Sequence, residues 1–163
     1  MDPNLVPQKM YRPQTSSDRR RYIDEVRFDP PIYFGRDQLH GVPLNEILNG
    51  NGQIYNGSEE VFKNCGPSIS IRINWRGYEP WSKQIPTKNW KNPPGPITRQ
   101  KLAKQVARRI EEFVDCMKSC EMDEEADQRW RVGSHGISVS NLTLVSLHHV
   151  SKGSWQPQLR VIR

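Results

Sequence analysis

Ile69, Ile71, Ile73 and Trp75 alternate with Ser70, Arg72 and Asn74, the period-2 pattern of a strand buried on one face and polar on the other. Arg76-Gly77-Tyr78-Glu79-Pro80 supplies a turn, and Trp81 to Thr87 is then placed to return antiparallel and complete a hairpin. The run Pro93-Pro94-Gly95-Pro96 imposes a stiff extended connection that ends any strand, because proline fixes φ, lacks an N–H and restricts the residue before it. At Thr98 the period changes. Leu102, Val106, Ile110, Phe113 and Met117 follow at spacings of 4, 4, 3 and 4, backed by Ala103, Ala107 and Val114. The pattern predicts an amphipathic helix from Thr98, its N-cap, to about residue 118. Downstream, Trp130 to Val132, Ile137 to Val139, Leu142 to Val150 and Leu159 to Ile162 read as strands separated by Gly133, Gly136 and Lys152-Gly153-Ser154.

Upstream the pattern is weaker. Ile32-Tyr33-Phe34 reads as a short strand, and Leu44, Ile47 and Leu48 suggest one or two helical turns after Pro43, broken by Asn49-Gly50-Asn51-Gly52. Residues 1–30 contain Pro3, Pro7, Pro13 and Pro30, the run Arg19-Arg20-Arg21 and few apolar residues. They are expected to form a mobile, basic, Pro-rich arm that buries too little surface to offset its ordering entropy. Residues 31–163 are expected to form a single α+β domain, in which a mixed sheet packs on one long amphipathic helix.

With 34% hydrophobic and 26% charged residues in a chain of 163, the composition excludes a fibre or a disulfide miniprotein. No apolar run approaches the ~20 residues of a bilayer crossing. The opening MDPNLVPQKMYRPQ lacks the apolar core of a secretory signal, which makes the cytoplasm or nucleus the expected compartment and leaves the sequons at Asn56 and Asn141 without consequence. Cys65, Cys116 and Cys120 are odd in number, lack CxxC spacing and are expected to be free thiols.

Charge changes the picture most. Residues 1–68 are net −1, 69–110 net +9, 111–128 net −7 and 129–163 net +5, so the folded surface should carry separated fields of both signs. The basic block interleaves its cations with Trp75, Tyr78, Trp81 and Trp90, a composition suited to a polyanion with stackable bases, although the alternation assigns Trp75 and Trp81 to the core. Lys101, Lys104 and Arg108 recur at i, i+3, i+7 along the predicted helix, with Arg109 further out. Adding Arg72 on the outer strand face, Lys88 and Lys91 in the Pro-rich connection and Arg99 at the helix start completes a candidate nucleic-acid-binding surface. The helix also reverses the usual dipole preference, with Arg99, Lys101 and Lys104 in its first turns and Asp115 near its end. A phosphate bound at the helix start, met by free N–H groups and by Arg99 or Lys101, would account for that.

Cys116 and Cys120 share a helix face, and His135, His148 and His149 lie downstream. The count is the minimum for Cys2His2 zinc, but the spacing departs from known fingers and His148 and His149 fall on opposite faces of a strand. No metal site is therefore assigned. GxSxG, HExxH, P-loop and GxGxxG motifs are absent, and no catalytic residue or cofactor is assigned either. The acidic cluster Glu121, Asp123, Glu124, Glu125 and Asp127 lacks the calcium-loop pattern and reads as a solvated loop or as a mimic of a polyanion that masks the basic face.

The order ISIRINW, WSKQI, ITRQKLAKQVARRIEEFV, WRV, LTLVSLHHV, LRVI resembles the ubiquitin-like β-grasp, in which a hairpin is followed by a helix and further strands. The last strand is followed by no di-glycine, so the resemblance implies a binding module and not a conjugated modifier. WRGYEPWSKQIPTKNWKNPPGPITRQKLAKQVARRIEEF and WRVGSHGISVSNLTLVSLHHVSKGSWQPQLRV, within roughly residues 65–163, resemble segments of uncharacterised proteins predicted in mushroom-forming fungi. That likeness implies a fungal intracellular protein and no particular chemistry. The expected function is a non-enzymatic basic module that binds DNA or RNA in a regulatory role. The alternatives are a protein-interaction module with opposed charge patches, able to self-associate, and a small metal-dependent enzyme.

Overall fold

The structure, a computed structural model, describes residues 2–163. In chain order its elements are a helical turn α1 (Ser16–Arg19) continued by a wide turn (Arg20–Asp24), strands β1 (Ile32–Tyr33) and β2 (Val42–Pro43), and the short helix α2 (Leu44–Leu48). Strands β3 (Ser68–Ile73), β4 (Trp81–Pro86), β5 (Lys88–Asn89) and β6 (Gly95–Pro96), the helix α3 (Arg99–Met117), and strands β7 (Leu142–Ser151) and β8 (Ser154–Val161) follow. The main sheet runs β1-β7-β8-β3-β4, with β2 also paired to β7. Its centre is a parallel pair, Ile71 opposite Trp155, flanked by the antiparallel hairpins β3–β4 and β7–β8. Hairpin, helix and hairpin around a parallel central pair make an α+β fold in which a mixed sheet packs on one long helix, as the sequence pattern predicts.

The alternation in β3 decides where α3 lies. Ile69, Ile71 and Ile73 are buried, and α3 covers them with Leu102, Ala103, Val106, Ala107, Ile110 and Phe113, all fully buried. Where helix and hairpin meet, Phe113 stacks on Trp75 with ring centroids 5.7 Å apart and takes Trp81 and Tyr78 edge-on at 5.9 and 6.5 Å. The Trp75 indole donates to the carbonyl of Trp130 at 2.8 Å, and the Tyr78 hydroxyl accepts the N–H of Val132 at 2.9 Å. These side-chain bonds explain why Trp130 to Val132 is not the predicted strand. The backbone there is satisfied by the aromatic cluster, so Gln128–Trp130 closes as a 3₁₀ turn, and Val132 makes a single bridge to Ile137. The strand predicted over Ile137 to Val139 is reduced to the Ile137 bridge, and Val139 begins the 3₁₀ turn Val139–Asn141, closed by the bond from the Asn141 N–H to the Ser138 carbonyl. The Pro-rich connection, predicted to be strand-free, folds back as the small β5–β6 ribbon, with Lys88 opposite Pro96 and Asn89 opposite Gly95. Gly41 has φ +73°, and a Cβ there would lie 2.2 Å from the Leu144 carbonyl, so only glycine lets β2 approach β7 this closely.

The N-terminal segment differs most from expectation. The arm expected to be mobile is, over residues 4–11, built into the sheet. Beyond Ile71 strands β3 and β8 are no longer paired with each other, and the segment fills the gap between them. Leu5 bridges Arg160 and Gln8 bridges Trp75. The Val6 N–H donates to the Leu159 carbonyl at 2.9 Å, the Val161 N–H to the Asn4 carbonyl at 2.8 Å and the Lys9 N–H to the Asn74 carbonyl at 3.2 Å. Val6 itself joins the core. The segment avoids the entropy argument because its backbone donors and acceptors are met by strand ends that would otherwise be unpaired. Pro157 fits the same scheme. The polar groups of Leu159 and Val161 face the arm, so the N–H that Pro157 lacks falls on that side and not in the β7 ladder. Its carbonyl accepts from the Gln8 side chain at 2.7 Å. Amide hydrogen exchange measures this directly. Val6 and Lys9 are expected to exchange as slowly as Val161, whereas a mobile arm exchanges at loop rates.

Candidate nucleic-acid interface

The basic surface grows from α3. Its core-facing stripe fixes the opposite stripe in solvent as Lys101, Lys104, Arg108, Glu111 and Asp115, all exposed, so that one helix face changes sign halfway along. At the helix start the Lys101 ammonium donates to Asn89 Oδ1 at 3.0 Å. This bond brings the β5–β6 ribbon, with half-buried Lys88 and exposed Lys91, against the cationic half of α3. Trp90, next to Asn89 at the ribbon tip, is 70% exposed. A bare indole between two lysines, on a ribbon bonded to Lys101, combines a stacking platform with phosphate-neutralising charge. Trp90 belongs to the interleaved aromatics of the sequence, but period-2 reading sorts aromatics only inside strands, and the prolines after Trp90 take it out of that pattern.

Three of the predicted contact residues lie elsewhere or are committed to other partners. Arg72 alternates with the isoleucines that face α3, which puts it on the other face of the sheet, half-buried beneath the Tyr11 ring at 4.0 Å. Arg99 is 13% exposed at its side chain; it pairs with Glu59 at 3.2 Å and donates to the Tyr33 carbonyl at 2.7 Å. Arg109 pairs with Glu112 at 3.0 Å, and its Nε is buried without a partner. The phosphate expected at the helix start is also displaced. The Arg99 N–H donates to the Glu59 carbonyl at 2.8 Å and the Gln100 N–H to the Gly57 carbonyl at 2.9 Å. The Lys101 N–H is capped by Thr98 Oγ1 at 3.3 Å. No helix-start N–H remains for an anion, and the adverse charge order is offset by the Glu59 carboxylate on Arg99.

At the other end of α3 the field reverses. A groove of about 1120 Å³ opens between the β3–β4 turn and the loop after α3, lined by Glu79, Glu121, Asp123, Glu125 and Asp127 with Tyr78 and Trp130. Hydrogen bonds from the Arg129 guanidinium hold the Asp127 carboxyl below its ordinary range, so it stays ionised. The acidic loop thus forms the wall of a separate groove.

The residues considered for metal binding and catalysis are dispersed. Cys116 and Cys120 are exposed at the end of α3, while His149 lies flat on Trp155 at 4.5 Å and accepts the Asp29 N–H at Nδ1. Among the described residues no three His, Cys, Asp or Glu side chains converge. Ser146 Oγ and His148 Nε2 lie 2.8 Å apart, but Ser146 is fully buried in the sheet and burial pushes the His148 imidazole below its ordinary pKa. Among the described residues no helix is long and apolar enough to cross a membrane.

Comparison with known proteins gives no matching family model, no matching curated protein and no matching solved structure.

Proposed function

We propose that this protein is a non-enzymatic binding module for nucleic acid, acting in a regulatory role in the nucleus or cytoplasm. The observation that carries this reading is the exposed Trp90 at the tip of a ribbon that the Lys101–Asn89 bond ties to the cationic half of α3, with Lys88 and Lys91 on either side of it in the chain. Lysines of this kind neutralise phosphates without reading bases, and a single stacking indole tolerates any base, so binding should be weakly sequence-dependent. Fluorescence anisotropy with short duplex DNA, single-stranded DNA and RNA tests it. The double substitution Lys101→Glu with Lys104→Glu is expected to weaken binding by roughly 10- to 100-fold while leaving the thermal midpoint close to that of the parent, since both side chains are solvent-facing. The matched reversal Arg36→Glu with Lys152→Glu, at exposed positions outside α3 and the ribbon, is expected to have a far smaller effect. Equal losses in the two pairs would reduce the interaction to net charge.

A second reading rests on the acidic groove. Its five carboxylates, one of them bonded to Arg129, outnumber Lys9 and Arg76 on the same wall and suit a cationic partner, and the basic half of α3 on another copy has the matching sign. Sedimentation that shows salt-sensitive self-association at micromolar protein would favour it.

A further inference from the structure

On the sheet face away from α3, a cavity of about 480 Å³ is lined by Arg72, Tyr11, Tyr22, Ser70, Ser151 and Asp18. Arg72 is held in it with unusual definition. Its Nε donates to Ser154 Oγ at 3.1 Å, and its plane lies on the Tyr11 ring at 4.0 Å. These two constraints fix the guanidinium and leave its Nη pair without a hydrogen-bond or ion-pair partner among the described residues. A planar fork of two N–H donors with one edge unused fits a tetrahedral or planar oxyanion. The surrounding hydroxyls of Ser70 and Ser151 can donate to its remaining oxygens.

We propose that the Arg72 cavity binds a phosphomonoester, whose phosphoryl oxygens take the open edge of the guanidinium and the serine hydroxyls. Polar hydroxyls with one guanidinium select oxygen-rich charge over an apolar ligand. The volume lies within the range of small-molecule pockets, roughly 300–1,000 Å³, and leaves room for an organic body beside the phosphoryl group. Asp18 is the one acid on the wall, and its charge opposes the ligand, which sets an internal check on the assignment. This site is separate from the α3 ridge and does not rest on the nucleic-acid reading. Tyr11, which the docked N-terminal segment places over Arg72, couples the site to that segment.

Isothermal titration of the full chain with inorganic phosphate, O-phosphoserine and O-phosphotyrosine tests the proposal and separates a free phosphate from a phosphorylated side chain. At least one phosphomonoester is expected to bind with a Kd below about 1 mM. Arg72→Lys, which keeps the charge and loses the fork, is expected to weaken that binding by about tenfold or more. Asp18→Asn is expected to strengthen it severalfold, an outcome that a purely structural role of Arg72 does not produce. Inorganic phosphate binding as tightly as the esters would assign the site to the free ion, itself a phosphoryl ligand on the same groups. Unchanged affinity in Arg72→Lys, with Val6 amide exchange confirming that the segment is still docked, would overturn the proposal. So would the absence of binding heat for all three probes.

Discussion

Raising the salt concentration from about 50 to about 200 mM is expected to weaken binding of this protein to a short DNA duplex by about 500-fold. The figure comes from the surface itself. Lys88, Lys91, Lys101, Lys104 and Arg108 are the predicted cations that the fold gathers at the ribbon and the first half of α3. If each displaces one condensed counterion, log K falls with log salt at a slope of about −4.5, which over a fourfold change gives that loss. Arg72, Arg99 and Arg109 do not enter the sum, because one lies on the other sheet face and two are ion-paired. Engagement of all eight would steepen the slope to about −7. An anisotropy titration at four or more salt concentrations therefore reads out how many cations engage. A slope near zero would remove phosphate contact as the source of affinity.

Phe113→Ala is expected to cost about 3–5 kcal/mol of folding stability. The side chain is fully buried and lies where Trp75, Trp81 and Tyr78 converge. Its removal leaves a cavity walled by three large rings, whose backbones belong to the β3–β4 hairpin and so cannot collapse inward. Lost aromatic pairing adds about 0.5–1.5 kcal/mol per ring pair to the area lost, within that total. For a domain of this length the thermal midpoint should fall by roughly 6–20 °C. Urea unfolding followed by tryptophan fluorescence measures it, with Phe113→Leu as a milder comparison that keeps the site apolar. A loss below about 1 kcal/mol would mean that the helix is not anchored there.

The helix and the first hairpin were legible because their evidence is local. Thr98 as cap and the Leu102 to Met117 stripe need only a 3.6-residue period, and Ile69 to Trp75 only a period of 2. Strand β8 was legible only in its last residues. Ser154-Trp155-Gln156-Pro157 contains a proline whose tolerance depends on a neighbour far away in the chain. The N-terminal segment was hidden for the same reason. Leu5-Val6 between two prolines carries no period, and its partners are Leu159 and Asn74. Of the candidate contact residues, Lys101, Lys104 and Arg108 followed from helical spacing, while the pairing of Arg99 with Glu59 and the burial of Arg72 under Tyr11 are tertiary facts with no local signature.

The insertion of the N-terminal segment beside β8 has a consequence for synthesis. Leu5 and Val6 leave the ribosome long before Leu159, the residue that holds them, so the central seam of the sheet closes only once β8 has emerged. Until then the end of β3 presents an unpaired edge, open to other strands in the crowded cell. A chain stalled before β8 would keep that edge and expose Val6, both features by which quality-control proteases tell unfinished proteins from finished ones.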